Sequence, residues 1–521
     1  MIPLLSALWL PKQGLSRPRR LLRGFGLGYI AGLSFFLINL SWLHNIHFAA
    51  GTLLPAFLAL YFGAWGAFAG STGRPAFMSN LLNGSTDDKK LSLIRIAMQS
   101  CYAALLNGGA WCGLEWLRGC LLSGFGWNGL GVALHENLIL IQLADTIGVT
   151  GLAFIIVFCS SVATSVIIRT CYELRRGSMR AHLDFPVAVS LVCGVFFYGS
   201  AKLRKPPGES IDVRVLLVQG GISQDDKWDL KHAKSIYAKY RRMTLRYTDI
   251  ADFDLVIWPE SSLPYSLNDS FNKSFLNNLL STNDFELVFG INENVIGEGL
   301  FNSIAVLRGG TTTQQTYRKT HLVPFGEFVP FRKTLPFLER IASNEIGVDF
   351  KPGKVIRPIS MAKPQPYSII PLVCFEDTFG NLARQFVRNS PQLIVNVTND
   401  GWFGNSSASA QHLANALFRC VELRRPMARA ANTGITCLVD SCGSLYDRWS
   451  DDHGGKRQVI DPATGNTFIE ASLPEMISIP SSPPNTLYAK IGDSFSIILG
   501  SLSLLIALIN LRSPKRQSPG L

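Results

Sequence analysis

Two hydrophobic patterns divide the chain. Over residues 1–201 and 494–511 apolar residues run in long blocks with few charges among them, whereas residues 202–490 alternate short apolar runs with amphipathic stretches. Five blocks, at about 24–43, 48–70, 91–117, 148–168 and 185–201, precede the mixed region, and a sixth, at about 494–511, follows it. Roughly 20 helical residues cross the ~30 Å hydrocarbon core of a bilayer, so each block reads as a span. The opening MIPLLSALWL is too short to span and lacks the flanks of a signal peptide, which makes it a stub or an interfacial piece. The glycines of RGFGLGYIAG (23–32) follow no strand. They read as a close helix-packing seam, not as a phosphate loop.

In the mixed region, IDVRVLLVQG (211–220), FDLVIWPE (253–260), FELVFGI (285–291), FNSIAVL (301–307), QQTYRK (314–319), YSIIPLVCFE (367–376), QLIVNVTND (392–400) and GITCLVD (434–440) read as strands. Residues 229–250, 271–281, about 379–389 and 408–430 read as helices. Strands interleaved with helices, several too apolar to have a wet face, predict an α/β layered domain whose chemistry collects at the carboxyl ends of strands. Three parts follow: a multi-pass α-helical membrane domain over 1–201, a catalytic domain over 202–490, and a last transmembrane helix with a cytoplasmic tail over 491–521.

Composition sharpens this division. A mean hydropathy of +0.20 with 17% charged residues in 521 is too apolar for an ordinary soluble protein. The net charge of +12 does not point to nucleic acid, because the basic residues cluster beside the spans. Residues 12–23, 71–90 and 169–184 and the tail after 511 carry Lys and Arg, while 44–47 and 119–147 carry none. Threading six spans with that alternation keeps both termini in the cytoplasm and puts 202–490 outside, although Lys202, Arg204 and Lys205 then lie on the outer side. The ten cysteines contain no C-x-x-C pair, so neither zinc nor a disulfide framework is indicated. Cys420, Cys437 and Cys442 are left open between packing and pairing. Glu115 and Arg118 of EWLRG, one helical turn apart, either cap a span or anchor a lipid head or the outer domain.

Candidate chemistry lies at three predicted strand ends: Glu260, Lys319 and Cys374. A Cys can attack a carbonyl, a carboxylate can take its proton, and an ammonium can hold the developing oxyanion, which together make a set for acyl transfer. A free thiol has a pKa near ~8.5, so attack at neutral pH needs such neighbours. His321 and His412 read as packed histidines near the core.

WPES (258–261), RKTHLVPFGEFVP (318–330), CFED (374–377) and NDGWFG (399–404) resemble the Glu-Lys-Cys pattern of the carbon–nitrogen hydrolase (nitrilase) superfamily. The apolar flanks, EWLRG, GISQDDKWD (221–229) and ELRRPMARAANTGIT (422–436) are similar to its membrane-embedded apolipoprotein N-acyltransferase family, from about residue 20 to 511. The resemblance implies a nitrilase-like α-β-β-α sandwich beside the helical membrane domain, facing the periplasm from the bacterial inner membrane. It makes Glu260 the general base, Lys319 the oxyanion-side cation and Cys374 the nucleophile. Glu327 and Glu376 become further carboxylates of the site, Phe375 the aromatic after the nucleophile and Trp228 a mobile aromatic at the substrate entrance, while Trp402 and Phe403 are either core residues or, as the resemblance favours, acyl-pocket walls. The implied reaction moves an acyl chain from a phospholipid, phosphatidylethanolamine foremost, to the α-amino group of a diacylglyceryl apolipoprotein through a Cys thioester. It needs no metal, no cofactor and no nucleic acid, and the enzyme is expected to act as a monomer in the bilayer. Two departures stand out: the family typically has eight spans against about six here, and Phe375 stands where Tyr is common. GFGWNGLG (124–131) and FVPFRKTLPF (328–337) read either as edges of a lipid portal or as ordinary loops. Two rival readings are a membrane-tethered amidase or nitrilase, with water in place of the amine, and a non-catalytic lipid-binding scaffold.

Overall fold

A computed structural model describes residues 1–10, 15–78, 92–205, 208–309, 314–332, 334, 348–446 and 455–512. The chain forms two compact units: Met1–Leu134, Ile147–Lys202 and Asp493–Leu521 make the first, and His135–Thr146 with Leu203–Gly492 the second.

The first unit is helical. Arg17–Asn39, Phe48–Ala69, Ala144–Arg175, Asp184–Arg204 and Ser494–Arg512 are each long and apolar enough to cross a membrane. Leu93–Arg118, where a sixth span was expected, is a 26-residue helix of sufficient length, but Arg95, Asn107, Glu115 and Arg118 make it more polar than these five. The glycine seam is a helix contact. A Cβ on Gly24 would lie 2.5 Å from the Gly66 carbonyl oxygen, and one on Gly28 would lie 2.2 Å from that of Phe62, so only glycine lets these backbones meet. The opening segment is not a surface stub. Ile2–Trp9 is a short helix whose Leu5, Leu8 and Trp9 are buried with Trp65 and Ala69, and the Trp9 indole donates to the Ala69 carbonyl at 3.1 Å.

Glu115 and Arg118 are committed to their own unit. Glu115 Oε1 accepts from the Leu130 amide at 2.6 Å, and Arg118 Nη1 donates to the Trp127 carbonyl at 2.9 Å. Trp127 is itself buried and lies 5.5 Å from the Trp42 ring. The loop 124–131 is therefore pinned at its centre.

The second unit is built on two sheets. In the first, strands run in the order β11 (Ala471–Pro480), β1 (Ser210–Gln219), β2 (Leu255–Trp258), β3 (Glu286–Val295), β4 (Gly299–Arg308) and β5 (Gln315–Arg318). In the second the order is β10 (Cys437–Val439), β9 (Met427–Ala431), β8 (Leu393–Thr398), β7 (Tyr367–Val373) and β6 (Ile359–Met361). Each has a parallel centre (β1-β2-β3 and β7-β8-β9) and antiparallel edges. β1 and β2 meet β9, β3 meets β8 and β4 meets β7, so the sheets stack face to face. The helices Ala233–Thr248 and Ser270–Ser281 cover the first sheet through Tyr240, Leu276 and Leu279 packed on Val256, Trp258 and Phe289. Ala408–Leu423 lies against the turn after β7, giving the α-β-β-α order. All residues of β2 and β8 are buried, and each Val, Leu or Ile so placed is worth roughly 1.5–3 kcal/mol.

Among the elements that differ from the reading of the sequence, two have a clear physical reason. The helix expected over 408–430 stops at Leu423: Arg424 turns left-handed with φ +55°, Pro426 has no amide proton to continue the ladder, and Met427–Ala431 becomes a strand paired parallel to β8. The helical preference of MARAA yields to sheet pairing. β11 was missed because Pro474 and Glu475 break its apolar alternation, which an edge strand tolerates.

His135–Thr146 joins the second unit through a buried clasp. Arg424 Nη2 pairs with Asp145 Oδ2 at 2.8 Å, its Nε reaches the same oxygen at 3.1 Å, and Gln142 Nε2 donates to the Cys442 carbonyl at 2.9 Å. Breaking a buried pair leaves a charge without compensation, so Arg424→Met should cost on the order of 3–5 kcal/mol. Thermal unfolding in detergent is expected to show a clear drop for Arg424→Met and partial recovery for Arg424→Met with Asp145→Leu.

Candidate active site

The three candidate residues each lie within two positions of the carboxyl end of a strand: Glu260 after β2, Lys319 after β5 and Cys374 after β7. Chain reversal there exposes side chains at the rim of the sheets while their backbones stay anchored. Glu260 sits close against β3. A Cβ on Gly290 would lie 2.5 Å from the Glu260 Cα, so glycine is required beneath the carboxylate. The Lys319 amide donates to the Asn302 carbonyl at 2.8 Å, and its own carbonyl accepts from Gly353 at 2.7 Å.

Asn302, in the middle of β4, organises the carboxylates. Its Nδ2 donates to Glu260 Oε1 at 2.7 Å and to Glu327 Oε1 at 2.9 Å. Glu327 Oε2 accepts from the Val323 amide at 2.8 Å and pairs with Lys319 Nζ at 2.8 Å. Asn302, Glu260, Lys319 and Glu327 are all at most 9% exposed. Burial pushes the Glu260 carboxyl up; Lys319 pulls it down, Glu327 pushes it further up, and the result lies above the usual carboxylate range. Burial works against the Lys319 ammonium, but Glu327, Cys374 and Glu260 outweigh it and hold its proton tightly.

Cys374 is the first residue past β7 and has φ +51°, a left-handed conformation that costs a non-glycine residue roughly 1–2 kcal/mol. It remains partly exposed. Burial of its surroundings raises the thiol, Glu260 raises it further, and Lys319 lowers it, leaving it well above its ordinary value. Both the Cys374 thiol and the Glu260 carboxyl are thus shifted towards their neutral, protonated forms.

Glu376 has another occupation. Its Oε1 accepts from Tyr317 Oη at 2.9 Å and from the Thr320 and His321 amides at 2.8 and 3.0 Å, while Oε2 accepts from the Val373 amide at 2.9 Å. Fully buried, it ties the loop after Lys319 to the turn that carries Cys374. It therefore fixes the loop after Lys319 against the turn of Cys374. Phe375 packs edge-to-face on Phe379 at 4.9 Å, and His321 joins that aromatic group at 3.9 Å from the Phe379 ring. Trp402 is 43% exposed on the turn after β8. The Trp228 side chain lies outside the described residues, as do 333 and 335–337 of the FVPFRKTLPF segment; Phe331 of that segment is exposed.

Beneath Cys374 lies a sealed charge network. His412 bridges Asp377 Oδ1 at 2.9 Å and Asp400 Oδ1 at 2.8 Å, and Arg429 pairs with Asp377 and donates to Asn396 Oδ1 at 2.7 Å. Asn396 Nδ2 in turn donates to the Cys374 carbonyl at 3.3 Å, and the Thr398 hydroxyl donates to Asp400 Oδ1 at 3.3 Å. Two carboxylates face two cations, which is how such charges survive burial. His412 is indeed packed in the interior, as the sequence reading held, but as a charged member of this network. Burial works against its proton, yet Asp377 and Asp400 raise it to about 9 despite Arg429. Sequence reasoning missed Asn302, although a polar residue amid the apolar FNSIAVL run was the available signal. It also missed Arg429, an isolated charge in MARAA.

Buried Glu260 and Lys319 with a partly exposed Cys374 at the strand ends of an α-β-β-α sandwich fit the pattern of the carbon–nitrogen hydrolase class, and residues 214–475 match the family model for carbon–nitrogen hydrolase. Residues 1–162 match that for the apolipoprotein N-acyltransferase N-terminal domain. Curated relatives named apolipoprotein N-acyltransferase include one from Geobacter metallireducens, 33% identical over 81% of this chain and 78% of its own. Another, from Bradyrhizobium diazoefficiens, is 32% identical over 76% and 71%, and one from Rhodopseudomonas palustris is 28% identical over 94% and 85%. Among solved structures, an amidase from Nesterenkonia covers 56% of this chain and 97% of its own at 15% identity and TM-score 0.36, too distant to bear on function. The chain belongs to the apolipoprotein N-acyltransferase family. It is a membrane protein and an acyltransferase.

Two outcomes test the site. Asn302→Leu removes the donor shared by two like-charged carboxylates, and acyl transfer should fall about 100-fold with the fold intact by circular dichroism. His412 holds its proton more tightly folded than unfolded, so its stabilisation is full below about pH 6.5 and is lost as pH rises through about 9. The melting-temperature deficit of His412→Asn should be large at pH 6 and shrink above pH 9.

Proposed function

We propose that the protein transfers an acyl chain from a phospholipid to the free α-amino group of the diacylglyceryl-cysteine that begins an apolipoprotein, through a thioester on Cys374. The observation that carries this reading is the partly exposed Cys374 on a turn that Glu376 ties to the loop after Lys319, whose ammonium is joined through Glu327 and Asn302 to Glu260. Glu260 takes the thiol proton as Sγ attacks the ester carbonyl of the lipid. Lys319 stabilises the tetrahedral oxyanion, a kind of contact worth roughly 3–4 kcal/mol. Collapse breaks the ester C–O bond, Glu260 returns the proton to the departing alkoxide, and a lysophospholipid leaves. The amine of the second substrate then attacks the thioester, Glu260 accepts its proton, the C–S bond breaks and the proton passes back to the thiolate. Each half-reaction returns the site to its starting charge, as a ping-pong cycle requires.

The apolar helices support lipid substrates. Drawing an acyl chain from a bilayer costs about 0.8 kcal/mol per CH₂, so an enzyme that works on lipids gains by residing among them. Basic residues beside the spans support a bacterial inner-membrane location with the catalytic unit on the periplasmic side.

Purified protein in phosphatidylethanolamine vesicles should acquire an acyl adduct on the Cys374 peptide, read by mass spectrometry. Adding a diacylglyceryl peptide should discharge it and place one acyl group on the peptide amine. Full acylating activity in Cys374→Ala would overturn the thioester route, and release of free fatty acid without an acylated peptide would make the enzyme a hydrolase.

A further inference from the structure

The mechanism uses one of two buried lysines at this site. The other is Lys227, in the short helix Gln224–Trp228 of the GISQDDKWD stretch. It is 3% exposed, and its Nζ donates to the main-chain carbonyl oxygen of Glu260 at 2.8 Å. Among the described residues no carboxylate forms an ion pair with it. The charges acting on it are those of Glu260 and Cys374, while its neighbours face elsewhere: Asp226 lies 3.6 Å from His232, and Asp229 accepts from the Lys231 amide at 3.0 Å. The helix is held in place by Gln224, whose Oε1 accepts from Asn399 Nδ2 at 2.8 Å, and by a Ser223 cap on the Asp226 amide at 3.2 Å.

Charge balance gives this lysine a purpose. Three buried carboxylates lie about Lys319: Glu376 is held by backbone amides and the Tyr317 hydroxyl and Glu327 is paired with Lys319 itself, which leaves Glu260 with no cation of its own. With Lys319 alone the site would carry a net negative charge. Glu260 would then draw a proton from solvent and enter the cycle unable to accept the one on the thiol. We propose that Lys227 is the second cation of the active site, a positioning residue that fixes the Glu260 main chain and keeps its side chain ionised until Cys374 yields its proton. The proposal rests on the reading of Glu260 as general base and adds the condition under which it can serve. Burial lowers the Lys227 amine to about 8, against the pull of Glu260 and Cys374, so the balance fails just above neutral pH.

The test is the rate of thioester formation on Cys374 in the full-length protein, with phosphatidylethanolamine vesicles and no acceptor, across pH 5 to 10. Lys227→Gln keeps a donor for the Glu260 carbonyl and removes the charge; Lys227→Met removes both. Both variants are expected to acylate about tenfold or more slowly near neutral pH, in the maximal rate of adduct formation and not in the lipid concentration that half-saturates it. Their acid limb should move upward by about one pH unit or more, because Glu260 holds its proton longer. The wild-type fall above about pH 8 should disappear in both. Wild-type rates with an unmoved acid limb in Lys227→Gln would overturn the charge role and this proposal alone. Absence of any adduct on the wild-type protein would overturn the thioester reading, and this proposal with it.

Discussion

A thiol, an ammonium and carboxylates can share a buried pocket only if their charges compensate. Taken out of water, an unpaired carboxylate or ammonium costs several kcal/mol, and the usual remedy is a change of protonation that would disarm the site. Here Glu327 compensates Lys319 at 2.8 Å, and the Asn302 amide is divided between Glu327 and Glu260 so that neither carboxylate faces the other bare. Lys319 therefore keeps its charge despite burial, while the Glu260 carboxyl is raised above the usual carboxylate range.

The same constraint governs the layer below. Cys374 occupies a strained left-handed turn, and such strain persists only where the surroundings over-determine it. Asp377, three residues on, is fastened by His412 and Arg429; Asn396 holds the Cys374 carbonyl; and Glu376 joins the turn to the loop after Lys319. These buttresses come from β8, β9 and the helix Ala408–Leu423, so the orientation of one sulfur atom is set by three elements distant along the chain. The helical unit shows a related economy: Glu115 and Arg118, expensive in an apolar setting, are satisfied by backbone groups of the loop they pin.

Much of this was legible in the residues alone. The long apolar blocks announce helices of membrane length, because 20 successive apolar residues have few other uses. The strand ends that carry Glu260, Lys319 and Cys374 were visible because each follows a β-rich run. Where reading failed, a local preference was overruled. MARAA favours a helix, but the left-handed Arg424 and Pro426 end the helix and β8 offers the segment a ladder. The segment ASLPEMISIP looks irregular and is straightened by pairing with β1.

By itself, then, the sequence determined the two-part architecture, the helical spans, most strands and three candidate groups at strand ends, since each depends on periodicity or on side-chain chemistry within a few residues. The tertiary structure alone decided which charges compensate which: that Asn302 serves two carboxylates, that Glu376 accepts from backbone amides and the Tyr317 hydroxyl, and that His412 is charged between two aspartates. Electrostatic compensation acts through space over a few ångströms, between residues tens or hundreds of positions apart, and no local pattern along the chain records it.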